Sequence, residues 1–243
     1  MNFIEVIDRT AMGCLMVTLH AVFALLIWLI FRGGAEDRQQ VRGWWLALVM
    51  NGVGSLILAF RWNGEGLNFA LYGLASSMVF VSILQRAAAL SSGMSSRELR
   101  NGLGLAFVLH SGFAAFLGWW LGLEPAAGIG VIHMLQAAAA LLLVFVAMQP
   151  RQTGNSDGVR MIAAGYGVYA FGFALLGIFA VLKPSGVDYY SGHFLLPMFM
   201  GAVITSVVSN MGFVWMLAGP FDQDRNQALR FQALQEEMDR RRP

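Results

Sequence analysis

The chain has 243 residues, of which 57% are hydrophobic and only 12% charged, with a formal net charge of +2. A water-soluble domain of this size carries about a quarter charged residues, so one soluble core is excluded as the main site of burial. Nearly all the positive charge falls between apolar runs or in the tail, so the net charge says little about a nucleic-acid partner and none is expected, and the single cysteine, Cys14, rules out a disulfide framework.

Apolar runs of about 20 residues recur along the whole length, each enough to cross a hydrocarbon core of roughly 30 Å. They predict an all-α membrane protein with seven spans: Ala11–Phe31, Gly43–Phe60, Leu67–Leu84, Gly102–Leu121, Gly128–Met148, Met161–Leu182 and Leu195–Leu217. The first run is too long for a signal-peptide core, and Glu5 and Asp8 outnumber Arg9 before it, so it reads as a retained helix. Cys14 within it reads as a small packing residue.

Seven spans place the two ends on opposite sides. One side collects Arg32, Arg38 and Arg42 after span one, Arg86, Arg97 and Arg100 after span three, and Arg151 and Arg160 after span five. The tail adds Arg225, Arg230, Arg240, Arg241 and Arg242, thirteen in all, against Arg9, Arg61 and Lys183 on the other side. The positive-inside rule then puts the amino terminus outside and the carboxyl terminus in the cytoplasm. Trp28, Trp44, Trp45 and Trp215 fall at inner span ends, and Trp62, Trp119 and Trp120 at outer ones. Each is expected to bury its ring while keeping its indole N–H wet.

The outer turns Arg61–Gly66 and Gly122–Ala127 are too short for a folded domain, so sequence neighbours should be spatial neighbours. Arg61 and Glu65 in the first of these read as a surface pair. Segment Lys183–Phe194, with Asp188, Tyr189, Tyr190 and His193, reads as an interfacial loop, with a small lid as the alternative. No two halves or spans repeat one another, which argues against an inverted-repeat transporter.

Polar groups inside spans are the candidates for chemistry. His20, His110 and His133 lie within spans one, four and five, and Met12, Met16 and Met134 add soft atoms near two of them. Imidazole ligates metals and haem iron, yet no two histidines have the close helical spacing of a dedicated site. No metal-ligand set is therefore assigned, and interhelical hydrogen bonding is the competing reading. Asn51, Ser76, Ser77, Ser82, Gln136, Tyr166, Tyr169, Ser206, Ser209 and Asn210 are further buried candidates. The ligand-facing choice among all of these is His20, His110, His133, Asn51 and Tyr169. Ser209 and Asn210 stand on the span leading to the tail, where a change of partners would move that span. Gly118, Gly122, Gly165, Gly167 and Gly172 would allow close helix approach. Asp, Glu, Lys and Arg are absent from the interiors of the expected spans, which argues against a proton pump or ion-coupled carrier.

The break at Gly219 and Pro220 divides residues 1–218, a seven-helix transmembrane domain, from residues 219–243, a charged tail. Phe231, Leu234 and Met238 are spaced three and four apart, as on a coiled-coil seam, and Ala228 extends that face. Asp222 and Asp224 at its start and Arg240 to Arg242 at its end suit a helix dipole. So short a helix needs a partner chain or a continuing domain, and a homodimer through the tail is expected. The rival is a basic amphipathic segment on the inner leaflet, opposed by Glu236, Glu237 and Asp239.

The stretches VRGWWLALVMNGVGSLILAFR and NFALYGLASSMVFVSILQRAAAL resemble the amino-terminal membrane module of bacterial GGDEF diguanylate cyclases. The segment SNMGFVWMLAGPFDQDRNQAL, followed by EEMDRR, resembles the last span and signalling helix that precede a GGDEF domain. Sensor histidine kinases use similar modules. The resemblance implies a sensor in the bacterial inner membrane that passes a ligand or membrane signal through its last helix to a cytoplasmic effector domain. No GGDEF signature, nucleotide loop or phosphoacceptor region is present, so no catalytic residue carries over, and no enzyme activity or cofactor is assigned to this chain. A histidine-based metal, haem or quinone protein is the second reading, and a small permease the third.

Overall fold

The structure, a computed structural model, describes residues 9–32, 38–60, 67–91, 96–119, 125–149, 156–182 and 199–218. These form seven helices and, among the described residues, no strand. They are α1 (Arg9–Phe31), α2 (Arg38–Phe60), α3 (Leu67–Leu90), α4 (Ser96–Trp119), α5 (Pro125–Met148) and α6 (Ser156–Leu182). Helix α7 is described over Phe199–Ala218. Six of them, all but α4, are long and apolar enough to cross a membrane. The apolar part of α4, Asn101–Leu117, is shorter. Helix is the form these runs must take in lipid, because it satisfies the backbone within one segment.

The helices outlast the apolar runs, since a run of good helix formers continues the backbone pattern whatever its polarity. Pro125 opens α5, where its missing N–H is not needed. Asp157 sits in the first turn of α6, where its charge suits the helix dipole. It pairs with Arg160 at 3.2 Å, both side chains about 70% exposed, a solvated contact of little energetic weight. Helix α3 runs past the expected end at Leu84 to Leu90, and the Ser91 N–H closes it on the carbonyls of Ala87 and Ala88.

Neighbours in sequence pack as antiparallel pairs. Early α2 meets late α3 where Gly43 faces Ala89, and later α2 meets earlier α3 where Gly54 faces Ala75. Gly73 of α3 faces Ala114 of α4, and Gly130 of α5 faces Gly177 and Ala180 of α6. Gly158 of α6 faces Gly212 and Met216 of α7. The main buried cluster is shared by α1, α2, α3, α5, α6 and α7, and includes Ile27, Trp44, Leu48, Ile83, Leu143, Ile162, Tyr166 and Phe213. A smaller one joins Tyr72, Ala114, Leu117, Ile129 and Ile132. Outward lie Leu25, Val108, Leu109, Leu141, Phe145, Phe171 and Met211, all exposed. An exterior this apolar is the surface of a multi-pass membrane protein, lipid supplying the contacts that water would refuse.

Several sequence expectations need correction. Cys14, expected as a small packing residue, is exposed on α1. Arg86, placed in a turn, lies inside α3 and is 2% exposed, so the helix interiors are not free of charge. No Gly or Pro separates Leu84 from Ser91, and the run of alanines after Arg86 carries the helix onward. Trp44, placed at an interface with a wet indole, is fully buried, while Trp28, Trp45 and Trp215 are exposed as expected. Adjacent helical residues point about 100° apart, so only one of Trp44 and Trp45 can face lipid. Trp62 and Trp120 lie outside the described residues, as does the side chain of Trp119. So do Arg61, Glu65, the segment Lys183–Phe194 and the tail with Phe231, Leu234 and Met238.

Candidate functional site: a buried arginine among four helices

Arg86 comes from the last turns of α3, Trp44 from the start of α2, Tyr166 from α6, and Asn210 and Phe213 from α7. The antiparallel packing brings these ends together. Arg86 Nη1 donates to the Tyr166 hydroxyl. Its Cζ lies 5.3 Å from the centroid of the Trp44 ring and 5.8 Å from that of Tyr166. Trp44 in turn stacks on Phe213, with centroids 4.2 Å apart and planes within 5°. Its indole N–H donates to Asn210 Oδ1 at 2.8 Å, and Asn210 Nδ2 donates to Ser206 Oγ at 3.2 Å. Phenylalanine, indole, guanidinium and phenol thus follow one another across the bundle and tie α7 to α2, α3 and α6.

An arginine inside a membrane helix costs about 2.5–3.5 kcal/mol on insertion scales. A hydrogen bond from a charged group offsets about 1.5–3 kcal/mol, and each cation–π contact about 0.5–2 kcal/mol. The site is therefore close to balance for charge, but not for hydrogen bonds. Among the described residues, Arg86 Nε and Nη2 find no partner. His20 Nε2 and Ser209 Oγ are buried and likewise lack one among those residues. His20 is within electrostatic range of Arg86, and its Nδ1 lies 2.6 Å from the Met16 carbonyl oxygen. Its partner one turn back is therefore that residue's backbone, not its sulfur. Ser209 packs against Gly165, next to Tyr166.

The other expected residues fall into separate helix contacts. His110 Nδ1 lies 2.8 Å from Ser77 Oγ, which also takes a bond from Ser111 Oγ at 2.9 Å and donates to the Gly73 carbonyl at 2.6 Å. A serine has one proton to give, so this pattern places the His110 proton on Nδ1. Phe80 stacks on the same imidazole at 4.5 Å. His133 sits edge-on to Phe173 and Tyr72, at 4.9 and 6.3 Å. Tyr169 donates to Gln136 Oε1 at 3.5 Å, and Gln136 Nε2 reaches the Ser76 carbonyl at 3.4 Å. Asn51 is half-buried on α2. His20 thus bonds within α1, His110 bonds across α3 and α4, and His133 meets rings of α3 and α6, so the three share none of these partners. Among the described residues no three His, Cys, Asp or Glu side chains gather as a metal site would require.

Asn210 is brought to this arginine site through Trp44, while Ser209 faces Gly165, next to Tyr166. Arg86, Trp44 and Phe213 were missed by sequence reasoning. The helix-forming run after Leu84 was the signal for Arg86; nothing local marks Trp44 as the inward member of its pair. No protein-family model matches the chain, and no curated protein matches it.

Proposed function

We propose that the chain is the membrane-embedded sensory part of a bacterial signalling protein or complex. In this reading the amino terminus is outside the inner membrane and the tail is in the cytoplasm. Seven spans form the sensing body. A shift in bundle packing moves α7, the tail pairs with that of a second copy through Phe231, Leu234 and Met238, and a cytoplasmic effector such as a diguanylate cyclase reads the change. The resemblance of the α2, α3 and α7 stretches to the membrane modules of such cyclases supports the reading. So does the surplus of arginine at one end of the bundle, by the positive-inside rule.

The observation that carries it is the attachment of α7. Asn210 and Phe213 are both held by Trp44, and Trp44 is one contact away from the buried cation. A change of charge or packing at Arg86 therefore acts directly on the helix that leads to the tail. Fusing a diguanylate cyclase domain after Pro243 tests this. Cyclase output is expected to change at least severalfold with Asn210→Leu or Arg86→Met at equal membrane abundance. Output indifferent to every substitution in the bundle would overturn the relay.

A further inference from the structure

We infer that Arg86 anchors a buried site for an oxyanion, a carboxylate or phosphate group presented edge-on to its guanidinium. Three observations lead there. First, Arg86 is 2% exposed, and among the described residues no carboxylate is buried with it; Asp157 is exposed and paired with Arg160. Second, the guanidinium is not short of partners at random. Nη1 is engaged by Tyr166, while Nε and Nη2 are both vacant among the described residues. The N–H bonds of those two nitrogens run parallel along one edge, the fork that accepts two oxygens of one carboxylate or phosphate. Third, the guanidinium carbon lies 5.3 Å from the Trp44 ring centroid and 5.8 Å from that of Tyr166, and Nη1 is bound by the Tyr166 hydroxyl, so one side of the group is anchored before any ligand arrives.

Depth and surroundings fit the same ligand class. The Arg86 Cα stands four residues before Leu90, about 6 Å of helix rise from the end of α3, while its guanidinium meets Tyr166, ten residues into α6. On this proposal a lipid phosphate or a small anion enters from that end of α3. His20 Nε2, within electrostatic range of Arg86, and Ser209 Oγ, which packs against Gly165 beside Tyr166, are further buried polar atoms without a partner among the described residues. On the sensory reading, which this rests on only for its consequence, the anion is the stimulus. Its binding would fix Arg86 against Trp44 and so the position of α7.

Binding is measured on the full chain alone. The purified protein is placed in phosphatidylcholine nanodiscs in chloride buffer and titrated with sodium phosphate or with sodium butyrate. Parallel discs contain phosphatidylglycerol and no added anion. The readouts are the unfolding temperature and bound mass by native mass spectrometry. At least one of the three probes is expected to raise the unfolding temperature saturably. Arg86→Lys, which keeps the charge but loses the fork, should weaken that binding by about tenfold or more. Arg86→Met should abolish it, and Tyr166→Phe, which leaves the fork intact, should weaken it less than Arg86→Lys. A response confined to phosphatidylglycerol identifies a lipid head group; a response to phosphate or butyrate identifies a soluble anion. No response to any probe overturns the site, as does a response undiminished in Arg86→Met. Should Arg86→Met fail to fold, equal affinity in Arg86→Lys and the unsubstituted protein overturns it. No output domain is involved, so this result stands or falls apart from the cyclase fusion.

Discussion

At the scale of single residues, two adjacent tryptophans have opposite fates. Trp45 is 39% exposed on the lipid side of α2, whereas Trp44 is buried and donates its indole proton to Asn210. Trp44→Phe keeps an aromatic ring for Phe213 but leaves Asn210 Oδ1 without its donor. The expected loss is about 1 kcal/mol, since interhelical hydrogen bonds in membranes are worth about 0.6 kcal/mol on average and up to about 1.7. Trp45→Phe should change stability by no more than about 0.5 kcal/mol. Denaturant unfolding in mixed micelles checks both. A double-mutant cycle with Asn210→Leu isolates the pair, and zero coupling would show that the bond carries no stability.

At the scale of elements, glycines decide which helices can touch backbone to backbone. A Cβ at Gly158 would lie 2.5 Å from the Gly212 carbonyl oxygen and 2.5 Å from the Met216 nitrogen, and one at Gly212 would lie 2.6 Å from the Gly158 oxygen. Gly130 and Gly177 form the same reciprocal contact between α5 and α6, at 2.8 and 2.6 Å. Backbone cannot yield as a side-chain tip does, so the helices must separate. Gly158→Ala and Gly177→Ala should each destabilise by about 1–3 kcal/mol. Gly167→Ala, which meets nothing within 4 Å, should be neutral or stabilise by up to about 1 kcal/mol. Of the α6 glycines expected to allow close approach, only Gly165 faces a neighbour, with the Thr205 carbonyl 3.3 Å from its would-be Cβ. The Thr205 hydroxyl donates to the Gly165 carbonyl at 2.9 Å and reinforces that contact.

For the whole molecule, the informative quantity is the number of crossings. Six helices have the length and apolarity to span, while the apolar part of α4 is shorter. Yet α4 runs antiparallel to α3 along matched positions, Ala114 beside Gly73 and His110 beside Ser77. On the proposed topology α4 crosses as well. Reporter fusions at residue 1 and residue 243 should then report opposite compartments. Both ends on one side would mean six crossings and would remove the cytoplasmic tail from the proposal or the amino terminus from the outside.

The sequence by itself determined the membrane class, the helical content and the order of the described helices, with one end of α2, α3, α4 and α6 misplaced by five or six residues. It could do so because apolar length is a one-dimensional property that the bilayer reads directly. The partners of the buried polar groups were decided only by tertiary structure. Which face of α2 turns inward depends on α3 and α7, so Trp44 and Trp45 are indistinguishable in the chain and separate in the fold. Arg86 shows the same limit from the other direction. Its charge placed it in a turn, and only the tertiary structure, which sets Trp44 and Tyr166 beside it, made it a buried cation with two nitrogens unpartnered among the described residues.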